Sequence, residues 1–323
     1  MIWLKITMAA VMSGALFAAI DYVLPPRPPQ PFTVELSDWP GDQVFALIEP
    51  LGLAPPVRLL HLDIRRAPAG KDAVEAFRAG RADAALVGLE RLPELLSDEV
   101  RLIYVYDEVV GGGALVAAPG VMRAADLGSR PIGVSFGGGD PLVRALLGRA
   151  GFEPGRVGLT PLAPEAAEAE LRAGRIGAAA LLSPSRAKSV QDKLGSVLLA
   201  STQDIAGLST HALVVREGGI ADRREQIVAV LRALSQTART CRGAMERCLE
   251  LMASASGWPA AEWRRDLETV RLLDAGEAHA LLDGGNAAPL ARRLASLPAA
   301  ANAPAPPAME WLDPSLAEEA ARP

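Results

Sequence analysis

No dense cluster of lysine or arginine occurs anywhere along this 323-residue chain, and its formal net charge is −5. Neutralising phosphates requires a basic face, so nucleic acid is excluded as a partner. Acidic runs are missing too. Histidine is scarce: His61, His211 and His279 stand singly in apolar or alanine-rich surroundings, none at a metal-ligand spacing, and they read as structural or surface groups. The chain lacks a Gly-x-Ser-x-Gly elbow, the glycine order of a dinucleotide fingerprint and the Lys-Ser/Thr pair of a phosphate loop. These absences argue against an enzyme and require no cofactor and no metal. Aromatic residues are only 4% of the chain while half is apolar, so the core must be mostly Ala, Leu and Val.

What is present is an internal echo. Arg78 to Ala85 reads Arg-Ala-Gly-Arg-Ala-Asp-Ala-Ala, and Arg172 to Ala179 reads Arg-Ala-Gly-Arg-Ile-Gly-Ala-Ala. Each copy follows a helical stretch (Lys71 to Ala79, Pro164 to Ala173), and its glycine suits the left-handed position that ends a helix. Each then opens an apolar run, Ala84 to Leu89 or Ala178 to Leu182, that reads as a buried strand. A helix returning to a buried parallel strand closes a βαβ unit, and such sheets bind ligands beyond the carboxyl ends of their strands. Function is therefore expected just after the two runs, at Gly88-Leu89 and Ser183-Pro184.

The remaining pattern completes two α/β lobes. Strands are expected at Phe32 to Leu36, Val57 to Leu62, Arg101 to Val105, Ile132 to Ser135, Val157 to Leu159 and Val197 to Ala200. A helix is expected over Pro141 to Ala150, and Asp38 to Asp42 reads as a turn into another. The chain crosses between lobes at Gly111 to Val116, and Thr210 to Val215 is the return strand. Helices follow over Arg223 to Ala238, Met245 to Ser256 and Ala260 to Leu272. The expected division is 32–110 with 212–298 as the first lobe, 111–211 as the second, and 299–323 as an Ala/Pro-rich linker and tail.

At the N-terminus, Ile2 to Leu24 is apolar except for Lys5, Thr7, Ser13 and Asp21, and a proline-rich linker, 25–31, follows. Residues 1–24 read as an export signal or a membrane anchor, which places the body outside the cytoplasm, tethered if the segment is uncleaved. In such a compartment Cys241 and Cys248 can pair. Seven residues apart on one straight helix they would lie roughly 10 Å from each other, too far to bridge. A helix break near Gly243 would fold them together.

Several short phrases, in their order, resemble the periplasmic binding proteins of ABC transporters, in the branch that takes up sulfonates, taurine, nitrate and thiamine-pyrimidine precursors. They are Trp39-Pro-Gly, Ala79-Gly-Arg-Ala-Asp-Ala84, Asp107-Glu-Val-Val-Gly-Gly-Gly113, Ala125-Asp-Leu-Gly128, Ile132-Gly-Val-Ser-Phe-Gly137, Gly151-Phe152, Ala173-Gly-Arg175 and Asp313-Pro-Ser315. The resemblance implies a type II periplasmic-binding fold of two α/β lobes joined by two crossover strands, with a helical C-terminal extension. It implies capture of a small organic molecule between the lobes and delivery to an ABC permease in the inner membrane. The alternative is a membrane-tethered sensor or scaffold of the same fold. The cysteine-rich signature of the pyrimidine-synthase relatives is absent.

Strand ends then nominate the ligand-binding residues. In the first lobe they are Ser37, Asp38 and Trp39, whose ring would lie on a flat ligand or pack against the lobe; Gly88 and Leu89; and Asp107 and Glu108, as acceptors or as solvated carboxylates. In the second lobe they are Ser135, Gly137, Gly138 and Gly139 before a helix whose free N–H groups face outward, with Asp140 as a competing N-cap. Ser183 and Ser185 stand where many relatives carry a Trp-Glu-Pro-like turn. They are donors to a ligand or, for Ser183, a helix cap.

Overall fold

The repeated phrase folds into the same hydrogen-bonded cap twice. In the first copy the amide of Gly80 donates to the Phe77 carbonyl (2.9 Å) and that of Arg81 to Ala76 (2.9 Å). In the second, Gly174 donates to Leu171 (3.1 Å) and Arg175 to Glu170 (3.1 Å). This is the paired pattern of a Schellman cap, and both glycines are left-handed, with φ of 72° and 68°. The next step is shared as well: Asp83 donates its amide to Thr33 (2.8 Å) and Gly177 donates to Pro131 (2.9 Å), so the first cap delivers the chain beside the strand Pro31–Leu36 and the second beside the strand Ile132–Val134.

A computed structural model describes residues 31–36, 39–56, 60–66, 73–109, 113–135, 141–153, 156–181, 183–204, 210–283, 290 and 308–322. The apolar segment Ile2 to Leu24 lies outside them. Among the described residues no helix is long and apolar enough to cross a membrane.

The first sheet contains β1 (Pro31–Leu36), β2 (His61–Arg66), β3 (Ala84–Gly88), β4 (Val100–Val109), β10 (Thr210–Arg216) and β11 (Val270–Leu272), in the order β11-β4-β10-β3-β1-β2. The second contains β5 (Ala114–Ala117), β6 (Ile132–Val134), β7 (Leu159–Pro161), β8 (Ala178–Leu181) and β9 (Leu198–Ser201), in the order β7-β6-β8-β5-β9. Setting β11 aside, the two sheets have one plan. Three strands of each, β1–β3 and β6–β8, are parallel, and the strand arriving from the other lobe, β10 or β5, inserts antiparallel beside the last of the three, β3 or β8. The crossovers run from β4 to β5 and from β9 to β10. At the second lobe they are tied together, with Thr202 N donating to Gly113 O and Gly113 N to Thr202 Oγ1, both at 2.9 Å.

The strands that end each repeat, β3 and β8, are buried along their whole length, which is why they read as continuous apolar runs. Around them lie α1 (Ala73–Arg78), α2 (Pro141–Arg149), α3 (Ala167–Arg172) and α4 (Pro184–Leu194), then α5 (Ile220–Gly243), α6 (Met245–Ser256), α7 (Ala260–Leu267), α8 (Ala275–Leu282) and α9 (Pro314–Ala321). The core of the first lobe is one large cluster that includes Phe32, Phe45, Phe77 and Tyr104. Sheet two is packed on both faces, with Val116 and Leu171 in one cluster and Ile132 and Leu146 in another.

Several elements differ from the sequence expectation. The second strand runs on to Arg66, past the expected end at Leu62, because its pairing with β1 continues there, and residues 57–59 of the expected span lie outside the described residues. Expected strand Val157 to Leu159 moves to Leu159–Pro161, where it pairs with β6. Expected helix Ala260 to Leu272 stops at Leu267, and residues 270–272 pair with β4 instead. The C-terminal residues dock: Trp311 is buried, Leu312 bridges Leu102, and α9 packs on α5 and α8. Helix α5 breaks at Ala244, which has φ −139°, and a Cys241–Cys248 disulfide spans the break with Cα atoms 5.6 Å apart.

The caps make a two-sided prediction. Gly80→Ala and Gly174→Ala place a Cβ at positive φ and should each lower stability by about 1–2 kcal/mol. Gly148→Ala, in α2 with open space at its Cβ position, should raise it by about 0.5–1 kcal/mol. Urea midpoints at constant slope test both, and equal effects at the three sites would refute the left-handed assignment.

Candidate functional site

The C-terminal end of β3 meets both crossover strands in one row. Gly88 of β3 faces His211 of β10, and His211 faces Asp107 of β4. A register shift follows between His211 and Ala212. The loop after β1 brings Trp39 to the same place, its carbonyl accepting from Asp42 N (3.1 Å) as the chain turns into a 3-10 helix, Asp42–Leu47.

Asp107 is 0% exposed, and both its oxygens are used. Oδ2 accepts the Trp39 indole N–H at 2.8 Å, and Oδ1 lies 2.6 Å from His211 Nδ1. An ionised carboxylate only accepts, so the proton of the second contact sits on Nδ1. The Trp39 and His211 rings stack at 4.3 Å between centroids. Behind them the Tyr106 hydroxyl donates to buried Asp42 (2.6 Å), and the Phe45 ring meets that of Tyr106 edge-on. Gly41 makes room for this arrangement: a Cβ there would stand 1.8 Å from Asp107 Oδ2 and 2.7 Å from Trp39 Nε1. The result is a shelf of aromatic rings fixed by a buried charge, with His211 partly open beside it.

Of the other first-lobe residues expected to meet ligand, Gly88 precedes the 3-10 helix Leu89–Asp98 in extended conformation, and Leu89 is buried in the lobe core. Glu108 is partly exposed and pairs with Arg271 at 2.8 Å, and Arg271 also pairs with Glu277. It is thus part of a surface ion-pair chain, the kind worth about 0–1 kcal/mol. Ser37 and Asp38 lie outside the described residues, as do Gly137, Gly138 and Gly139.

In the second lobe Ser135 follows β6 directly and bonds both its amide (3.2 Å) and its hydroxyl (3.1 Å) to Ala180 O of β8. Ser183 caps α4, its Oγ accepting from Arg186 N at 3.1 Å, and donates to Asp266 Oδ2 of α7 at 2.7 Å. Ser185 N donates to Asp266 Oδ1, also at 2.7 Å, and its Oγ lies 3.1 Å from that of Ser183. Both serines are buried, with their polar atoms turned to α7. Burial pushes the Asp266 carboxyl above the usual carboxylate range, and the donors from Ser183 and Ser185 hold it back only in part.

The structure thus brings Trp39, Gly88 and Asp107 together around His211, and Ser183 and Ser185 around Asp266. The sequence reading missed both centres. His211 and Asp107 are 104 positions apart, and only the antiparallel insertion of β10 pairs them. Asp266 falls within the expected helix 260–272, where no local signal singles it out. Among the described residues no group of three or more His, Cys, Asp or Glu is arranged to hold a metal ion. Gly41→Ala should break the Asp107 contacts and cost about 3 kcal/mol, as expected when a buried charge loses its partners. An unchanged urea midpoint would show that the carboxylate is not held there.

A model of the NMT1-like family matches residues 58–254. A comparison with curated protein sequences gives no match. Among solved structures, a ligand-binding component of an ABC-type import system from Staphylococcus aureus, with zinc bound, aligns with a TM-score of 0.62 and 15% identity, over 91% of this chain and all of that one. The alkanesulfonate-binding protein SsuA of Xanthomonas axonopodis pv. citri, bound to MOPS, aligns at 0.59 and 17%, over 84% of this chain and 96% of that one. The periplasmic nitrate-binding protein NrtA of Synechocystis PCC 6803 aligns at 0.53 and 14%, over 73% and 70%. At these identities the likeness is one of fold, and it is the periplasmic-binding fold that the two matching sheets build. With the family model spanning more than half of its length, the chain belongs to the NMT1-like family.

Proposed function

We propose that this protein is an extracytoplasmic solute-binding protein that captures a small organic molecule between its lobes and delivers it to an ABC import permease. The observation that carries this reading is the pair of like α/β lobes joined by the β4–β5 and β9–β10 crossovers. Lobes connected in this way can rotate about the crossovers, and a ligand touching both favours the closed arrangement by its differential affinity. Micromolar binding needs about 8 kcal/mol, within reach of a few hydrogen bonds and one stacked ring. No covalent step is involved.

In the first lobe the partly exposed His211 stands where a ligand would meet this end, held in place by Trp39, Gly88 and Asp107. The apolar segment Ile2 to Leu24 supports an extracytoplasmic location. The same segment, if retained, supports the second reading, a tethered sensor of the same fold.

A thermal-shift screen with sulfonates, pyrimidines, nitrate, amines and aromatic acids tests ligand capture. A true ligand at one hundred times its Kd adds about 2.7 kcal/mol to stability. For such a ligand Trp39→Ala should remove the shift, and an undiminished shift would take Trp39 out of the site. Stabilisation by none of these classes at millimolar concentration would sink the reading. Loss of labelled-ligand uptake when the chain is deleted separates import from sensing.

A further inference from the structure

The C-terminal helices belong to the first lobe by their apolar contacts. Trp263 and Leu267 of α7 are buried in that lobe's core, and β11, the next element, pairs with β4. Another side of α7 is polar and meets the second lobe. There Asp266, 1% exposed, accepts from the Ser183 hydroxyl and the Ser185 amide at the start of α4. On the α6–α7 connection, Trp258 lies under the guanidinium of Arg186, 4.3 Å from its ring centroid, and Arg186 is ion-paired with Glu165 within the second lobe. The lobes also touch where α2 packs on the 3-10 helix Leu89–Asp98.

We propose that Asp266 and Trp258 form a releasable latch between the lobes, a third connection beside the two crossovers, which has to open before the lobes can separate. The chemistry of its two sides differs in the way a latch requires. The side toward the first lobe is apolar and anchored in the core, so it stays with that lobe. The side toward the second lobe consists of hydrogen bonds and one cation–ring contact, which water can replace at small net cost.

Intermediate positions are disfavoured. A carboxylate that leaves Ser183 and Ser185 without reaching water is a buried charge lacking donors, so the contact is either made in full or opened to solvent. That gives two discrete arrangements, the property a switching interface needs. The latch goes beyond the ligand-binding reading, and its test involves no ligand. A failed ligand screen therefore leaves it standing, and its own failure leaves ligand capture standing.

The experiment measures the inter-lobe distance in the full chain, using spin labels at Glu250→Cys on α6 and Arg149→Cys on α2, both exposed positions. The parent should give one short distance population by pulsed electron resonance. Asp266→Ala should add a longer population, and so should Ser183→Ala, which leaves the carboxylate in place and decides alone if the first variant fails to fold. Arg186→Ala, which removes the contact with Trp258, should shift the distribution in the same direction. Parent-like distributions in the folded variants would overturn the latch, and so would a parent that already contains the longer population at the same weight.

Discussion

A carboxylate with no access to water organises the end of the first lobe where β3, β4 and β10 meet. Asp107 must have donors on both oxygens, because an unpaired buried charge is among the costliest defects a fold can contain. That single requirement accounts for the Trp39 indole edge, the His211 ring orientation and the missing side chain at Gly41. It also ties three pieces of chain that meet nowhere else in sequence: the loop after β1, the strand that leaves the lobe and the strand that returns to it.

The second lobe repeats the plan with different polar chemistry. Its strand β8 also ends at a helix start, but there a carboxylate of the chain's own C-terminal region, Asp266, occupies the donors of α4. A helix N-terminus attracts negative charge, and here the charge is internal. The turn at 182–185 reads Leu-Ser-Pro-Ser, and its two serines are committed to Asp266. The two halves thus share their backbone device, the Schellman cap and the strand it feeds, while their strand ends are specialised separately.

Much of the architecture was legible because it is written in local chemistry. A glycine between arginines at the end of a helical pattern demands a left-handed residue, and Gly80 and Gly174 adopt it. Fully buried strands must be apolar throughout, so β3 and β8 announced themselves. The break between α5 and α6 was visible near Gly243. Less was legible where pairing overrides propensity: Val270–Leu272 continues a helical pattern but is drawn into the sheet by the open edge of β4. For the candidate site, Trp39, Asp107 and the two serines were selected by their positions at strand ends, whereas what they touch was not. His211 has apolar neighbours in sequence and nothing local marks it, because its partner Asp107 lies across an antiparallel pair.

The sequence by itself determined two α/β units of the same construction, their caps, their buried central strands and the two crossings between them, since each follows from interactions within a few residues. Only the tertiary structure decided that β5 and β10 insert antiparallel into the opposite sheets. Only it decided that Asp107 is enclosed by Trp39 and His211, and that Asp266 reaches the other lobe. Those outcomes depend on strand order, register and burial, and a buried charge selects its donors from whatever the fold brings near, regardless of distance along the chain.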